Sequence, residues 1–199
     1  APQMKRKVVV TRNEYAEFVH VQNNKTNVYT TVYDFEQFSE KAKIDNSVIR
    51  DRVFLDFDAH EDNLEMAWRD LKVVMELVNK KDYEHTFFFS GRGLHLFLFG
   101  EITETMRNIQ TFFREIKQYL ISKVGKTISL DDRVGQHTRL RRVPNTVNMA
   151  SSDKDGNPYF CIPLVEKDLT ASLSDILTLA KQQRMIPFKK GGKNKVIFP

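Results

Sequence analysis

Short apolar runs rich in β-branched and aromatic residues predict the strands of this chain. The clearest run, at 53–58, reads Val-Phe-Leu-Asp-Phe-Asp and ends in two aspartates. Because side chains alternate between the two faces of a strand, Asp56 and Asp58 are expected on one face and Phe57 on the other. The same composition predicts further strands at 7–10, 28–33, 86–89, 94–99 and 159–162.

Apolar residues spaced three and four positions apart predict amphipathic helices between these strands. The residues that mark the predicted helix starts are Thr11 with Glu14, Asp34, Asp62 with Glu65, Thr103, and Ser172 with Asp175. Strands and helices interleave, and no internal repeat is present. The expected fold class is therefore α+β, with mixed or antiparallel sheets flanked by helices.

Composition and charge narrow the class of protein. The chain has 199 residues, of which 41% are hydrophobic and 29% charged, as is typical of a globular protein. Its formal net charge of +5 permits a polyanionic partner without requiring one. Cys161 is the only cysteine, which excludes an intrachain disulfide and a cysteine-based zinc site within this sequence. No signal peptide or membrane-spanning run is evident, so we expect an intracellular location and no membrane partner.

The last residues differ in composition from the rest of the chain. The run 189–195 combines lysines with two glycines, which is typical of a mobile tail or linker. The sequence therefore predicts a folded domain, in one or two lobes, over residues 1–188, and a basic tail or linker over 189–199.

The two aspartates at the end of the 53–58 strand form the first candidate site. Two carboxylates at this spacing repel each other unless a cation lies between them. A divalent metal ion with oxygen ligands is the usual solution. The alternative is a strand that merely runs into an acidic turn at 58–62.

The second candidate site is the sequence Ser-Gly-Arg-Gly-Leu-His at 90–95, between two apolar strands. Glycines allow the backbone to approach a bound group closely. The hydroxyl of Ser90, the guanidinium of Arg92 and the imidazole of His95 can all donate hydrogen bonds to phosphate oxygens. The alternative is a glycine hairpin turn followed by a histidine of the core.

The third candidate site combines an aspartate with an arginine-rich stretch. Asp131 follows Leu130, and three arginines stand among the four positions 139–142. Arginine is the preferred planar donor to phosphate, so a triphosphate or a nucleic-acid backbone is a natural target. The alternative is a solvated basic loop.

The three sites, in this order, resemble the motifs of the archaeo-eukaryotic primase superfamily. That family carries a strand ending in Asp-x-Asp, a Ser-Gly-x-Gly-x-His motif, and a further aspartate followed by Arg-x-Pro-x-Ser/Thr, which matches 142–146 here. Asp131 directly follows an apolar residue, as the family's metal-binding aspartate does, which makes Asp132 the weaker candidate. The resemblance covers roughly residues 28–165 and is greater to PrimPol-like primase-polymerases than to the replicative small subunit, which usually carries a zinc-binding stem.

The resemblance implies a catalytic core with an RRM-like lobe and a second α/β lobe. It implies template-directed addition of nucleotides to a 3′-hydroxyl, with two Mg²⁺ or Mn²⁺ ions and release of pyrophosphate. The implied partners are a DNA template and primer, nucleoside triphosphates, and additional domains or replication and repair proteins. The implied catalytic and metal-binding residues are Asp56, Asp58 and Asp131. The implied nucleotide-binding residues are Ser90, Arg92, Gly93, His95, Arg139 and Arg142.

Three other functions are compatible with parts of this pattern. A metal-dependent nucleic-acid phosphodiesterase could use the same carboxylates without any triphosphate. A non-catalytic nucleic-acid-binding module would use the basic surface but not three aspartates. A replication-initiator nuclease is disfavoured, because Leu94-His95-Leu96 offers one histidine where that class needs two.

Overall fold

The computed structural model describes residues 11–36, 47–58, 63–133, 136–187 and 189–199. Its α-helices are α1 (Arg12–Gln22), α2 (Leu64–Lys81), α3 (Met106–Val124) and α4 (Leu173–Leu179), with a 3₁₀ helix at Glu166–Thr170. Its strands are β1 (Tyr29–Thr31), β2 (Asp34–Phe35), β3 (Val48–Ile49), β4 (Arg52–Asp58), β5 (His85–Phe89), β6 (Gly93–Phe99), β7 (Leu140–Arg142), β8 (Val147–Ser152), β9 (Pro158–Phe160) and β10 (Ile162–Leu164). No helix in these ranges is long and apolar enough to cross a membrane.

A four-stranded antiparallel sheet in the order β10-β5-β6-β4 forms the centre of the fold. One face of this sheet packs against α2 and α3. Leu55, Phe57 and Leu96 on this face are fully buried, because strand alternation points them at the helices. The same alternation sends the side chains of Asp56 and Asp58 to the opposite face.

We call that opposite face the aspartate face, and it carries Phe54, Asp56, Asp58, Phe88, His95 and Phe97. The pairing register places Asp56 directly across from His95, and Asp58 across from Gly93. Three two-stranded ribbons complete the described sheets: β1 with β7, β2 with β3, and β8 with β9. The fold is therefore α+β with antiparallel sheets, as the sequence predicts.

The capping residues correctly locate two helices. Thr11 and Glu14 form a reciprocal capping box at α1, and Ser172 and Asp175 form another at α4. The start of α2 differs slightly from the prediction, because the side chain of Asn63 accepts the hydrogen bond from the Met66 amide and caps the helix. Asp62 and the strand predicted at 7–10 lie outside the described residues.

The helix predicted from about Asp34 is wrong at its beginning. Asp34 and Phe35 form β2, which pairs with β3 and thereby satisfies its backbone groups across the ribbon. The amide of Glu36 continues this pairing by donating to the carbonyl of Ser47. The three-residue spacing of two phenylalanines predicts a helix, but backbone hydrogen bonds between β2 and β3 stabilise a strand here instead. Residues 37–46 lie outside the described residues.

The lysine- and glycine-rich terminal segment packs against the central sheet. Gly191 forms a bridge with His85, and Val196 forms one with Gly100. The side chains of Val196 and Phe198 are buried in the core. Val196 and Phe198, which follow the 189–195 run, therefore hold this segment along β5 and the end of β6, where the sequence predicts a tail or linker.

The reactivity of Cys161 tests how the chain packs around β9 and β10. The side chain is fully buried between β9 and β10, and burial raises the pKa of its thiol to about 12. Since the thiolate is the reactive form, we expect iodoacetamide at pH 8 to leave the native protein unmodified and to alkylate it rapidly in denaturant. Mass spectrometry over time measures both rates. Equal rates in the two conditions would contradict this packing.

Candidate active site

Backbone pairing along the outer edge of β4, the edge that does not pair with β6, brings Asp56 and Asp131 together. Leu130 forms an antiparallel bridge with Phe57, and the amide of Asp131 donates to the carbonyl of Asp56 at 2.8 Å. The amide of Asp58 donates to the carbonyl of Ser129 at 2.9 Å. Residues 129–131 therefore lie beside β4, on the side opposite β6. This pairing explains how a residue 75 positions further along the chain reaches the first aspartate.

A single guanidinium lies between these two carboxylates. Arg139 Nη2 is 2.7 Å from Asp56 Oδ2 and 2.9 Å from Asp131 Oδ2. Arg133 holds Asp131 as well, with its Nη2 2.8 Å from Oδ2, and its carbonyl accepts a hydrogen bond from Arg139. The position between the two carboxylates therefore stabilises a positive charge, because the two negative groups would otherwise repel each other.

The two carboxylates differ in how easily they bind a proton. Burial raises the pKa of Asp56; the charge of Arg139 opposes this rise, and the charge of Asp131 adds to it. Burial also acts to raise the pKa of Asp131, but hydrogen bonds from Arg133 and Arg139 outweigh it and hold that pKa well below its usual range. Asp131 is therefore the more firmly ionised member of the pair.

His95 lies beside Asp56 on the aspartate face as a buried, neutral imidazole. Its Nε2 is 3.6 Å from Asp56 Oδ1, and its ring packs edge-on against Phe54. Burial, together with the charges of nearby arginines, lowers the pKa of His95 to about 3. At neutral pH the ring can therefore donate one hydrogen bond but carries no charge.

The turn at 90–93 is held in shape by its own residues. The hydroxyl of Ser90 accepts from the Gly93 amide at 3.0 Å and donates to the Gly93 carbonyl at 3.1 Å. A Cβ at Gly93 would overlap the carbonyl oxygen of Phe57, so only glycine lets β6 approach β4 here. Asn148, which is buried, donates from its side chain to the Ser90 carbonyl at 3.1 Å. Ser90 and Gly93 therefore shape the turn that precedes His95.

Arg92 is the exposed residue of this turn and borders a cleft. The cleft has a volume of about 590 Å³ and is lined by Arg92, Ser151, Tyr159 and Leu173, among others. The three aspartates do not line it. Arg92 therefore borders this cleft, whereas the three aspartates lie outside its lining.

The arginines at 139–142 are divided by strand alternation. Arg139 and Arg141 point toward the aspartate face. The guanidinium carbon of Arg139 is 5.5 Å from the centre of the Phe54 ring, and that of Arg141 is 5.2 Å from the centre of the Phe97 ring. Arg142 faces the other way and stacks on Tyr29, whose strand pairs with β7. It also donates to Asn27 Oδ1 at 2.8 Å and to the Tyr29 hydroxyl at 3.1 Å. Arg142 therefore supports the β1–β7 ribbon, and Arg139 directly precedes β7.

The site residues predicted from the sequence do not include Arg133, Arg141 or Asn148. Arg133 follows Asp131 by two positions, and Arg141 follows Arg139 by two, so alternation in an extended chain could have identified both. Asn148 contacts a turn 58 residues earlier in the chain, and no local pattern indicates that contact.

The chemistry of these side chains fits a hard divalent cation. Asp56 and Asp131 direct oxygens at one shared cationic position, and Asp58 lies on the same face of β4. Carboxylate oxygens are the ligands that Mg²⁺ and Mn²⁺ prefer. Among the residues that the structure describes, no group of three or more histidine, cysteine or acidic side chains is already arranged to hold a metal ion. Arg139 lies where such a group would converge.

Comparisons with known proteins bear on the fold. No protein-family model matches this sequence, and no curated protein matches it. The fold is similar to a solved polymerase domain from Mycobacterium tuberculosis ligase D in complex with DNA, with a TM-score of 0.52 and 16% sequence identity. The match covers 77% of this chain and 58% of that one, so this chain spans less than two-thirds of its length. The chain thus has an α+β fold similar to that of a polymerase domain.

Proposed function

We propose that this chain is the catalytic domain of a DNA primase-polymerase, which adds nucleotides to a 3′-hydroxyl on a template and releases pyrophosphate. The observation that carries this proposal is the shared cationic position between Asp56 and Asp131 on the aspartate face. Its occurrence in a fold similar to a polymerase domain, together with the three sequence motifs, favours nucleotidyl transfer over other uses of paired carboxylates.

The three aspartates would hold two divalent ions, Mg²⁺ or Mn²⁺. When bound, these ions supply activation of the attacking hydroxyl and neutralisation of the leaving group. Asp131 is suited to this role because its carboxylate stays ionised, and Asp56 because it lies directly beside Asp131. Asp58 shares their face and lies across from the turn that contains Arg92.

The nucleotide would lie between the aspartates and the turn at 90–93. Neutral His95 donates one hydrogen bond to a phosphate oxygen, and Arg92 and Arg139 supply positive charge. Ser90 and Gly93 contribute by holding the turn against β4. Arg142 contributes by anchoring the β1–β7 ribbon.

Template and primer DNA would bind through lysine and arginine side chains, which outnumber the acidic side chains. The net charge of +5 favours contacts to phosphates that are tolerant of sequence and weakened by salt. The similar polymerase domain was solved in complex with DNA, which agrees with this partner.

Primer extension tests the proposed function. The chain is incubated with a primed template, with either ribo- or deoxyribonucleotides and with Mg²⁺ or Mn²⁺. We expect primers to lengthen only with triphosphates and metal, and pyrophosphate to be released in proportion. Shortening of the strands without triphosphates would instead indicate a phosphodiesterase, and DNA binding without either reaction would indicate a non-catalytic module.

A further inference from the structure

Asp70 is a fully buried carboxylate on α2 that belongs to none of the three motifs. Its Oδ2 accepts hydrogen bonds from the Ser129 amide at 2.7 Å and from the Ser129 hydroxyl at 2.9 Å. Its Oδ1 accepts from the guanidinium of Arg69 at 2.7 Å. A buried carboxylate is costly unless both oxygens have partners, so this arrangement fixes Ser129 firmly to α2.

Ser129 belongs to the segment that places Asp131 beside Asp56. The carbonyl of Ser129 accepts from the Asp58 amide, and two residues later the Asp131 amide donates to the Asp56 carbonyl. The segment is therefore held between two elements: α2 contacts it through Asp70, and β4 contacts it through its backbone. Since α2 also packs against β4, the distance between these two attachments is fixed by the core.

We propose that Asp70 is a positioning residue, which fixes the 129–131 segment so that Asp131 can bind metal together with Asp56. This inference rests on the proposed function. A metal site depends on the groups that orient its ligands, and removing such a group typically weakens metal binding 10–100-fold. Asp70 acts through Ser129 and has no contact with the metal position.

The test is a Mn²⁺ titration of the full chain without nucleotide, measured by calorimetry. Asp70→Leu removes both hydrogen bonds to Ser129 while keeping a side chain of similar size. We expect it to weaken Mn²⁺ binding roughly 10–100-fold. Asp70→Asn can still accept both bonds through its amide oxygen, so we expect it to retain an affinity close to that of the parent chain. Both variants lose the charge of Asp70, so a higher Mn²⁺ affinity of Asp70→Asn than of Asp70→Leu would reflect the hydrogen bonds to Ser129.

Asp168 provides a matched control. It is also buried, accepts from the Val165 amide at 2.7 Å and pairs with Arg184 at 2.6 Å, but it lies near β10 at the opposite edge of the sheet. We expect Asp168→Leu to lower the thermal midpoint without changing Mn²⁺ affinity. Equal losses of affinity in Asp70→Leu and Asp168→Leu would overturn the proposal, because they would reflect destabilisation alone.

Three further outcomes can each be interpreted. If Asp70→Leu does not fold, Ser129→Ala deletes only the hydroxyl bond to Asp70. We then expect a smaller but measurable loss of affinity, and an unchanged affinity would overturn the proposal. If the parent chain binds no Mn²⁺, the proposed function fails and the role of Asp70 fails with it. Normal binding by the parent and by Asp70→Leu would overturn the role of Asp70 alone.

Discussion

Asp131→Asn is expected to abolish nucleotide addition, whereas Asp132→Asn is expected to retain most of it. Asp131 is buried beside Asp56, and both carboxylates contact the same guanidinium. The carboxylate of Asp132 is 66% exposed and pairs with Lys117 at 2.6 Å. An exposed pair of this kind contributes at most about 1 kcal/mol to stability. Loss of a metal ligand removes several kcal/mol of transition-state stabilisation, which corresponds to roughly three orders of magnitude in rate.

The neighbouring aspartates provide their own control, because each variant loses one charge from the same segment. Single-turnover primer extension measures the rate, and circular dichroism with thermal melting verifies that both variants fold. Asp131→Asn should also lower the stability of the metal-free protein, since Arg133 and Arg139 lose a charged partner. If Asp132→Asn is the inactive variant, the third motif is placed one residue too early.

Local sequence patterns correctly predicted β4, α1 and α4, because residues close together in the chain determine these elements. The strand at β4 is fixed by alternation within seven residues, and α1 and α4 by capping pairs three residues apart. The β7 strand was not predicted, because its partner β1 lies far away in the chain and pairs Tyr29 with Arg142. Without that strand, the sequence could not separate Arg139 and Arg141, which face the site, from Arg142, which faces away.

Repulsion between paired carboxylates requires a nearby cation, but the sequence could not identify which carboxylates share it. Repulsion predicted a positive charge between Asp56 and Asp58, whereas the structure places a guanidinium between Asp56 and Asp131. That pairing follows from the attachment of the 129–131 segment to the edge of β4, which is a long-range contact. The contacts of Asp70 and Asn148 depend on long-range packing in the same way.

Arg139→Gln is expected to destabilise the metal-free protein strongly and to make its stability depend on metal. The Arg139 side chain is 14% exposed, and its removal leaves Asp56 and Asp131 facing each other without a shared cation. Breaking one side of a largely buried ion pair typically lowers the free energy of unfolding by about 3–5 kcal/mol. A divalent ion that binds between the same carboxylates would replace the guanidinium, so added Mn²⁺ should recover much of the loss.

Thermal melting of the parent and the variant, each with and without Mn²⁺, measures this dependence. Arg133→Gln is the control, because the Arg133 side chain is 69% exposed and its ion pair is with Asp131 rather than with both aspartates. We expect it to lose less stability and to gain less from Mn²⁺. Arg139→Gln should also reduce kcat/KM for nucleotide by roughly one to two orders of magnitude, as loss of one charge-assisted contact does. A variant that is as stable as the parent without metal, or that gains no more from Mn²⁺, would show that Arg139 and the metal do not share the position between Asp56 and Asp131.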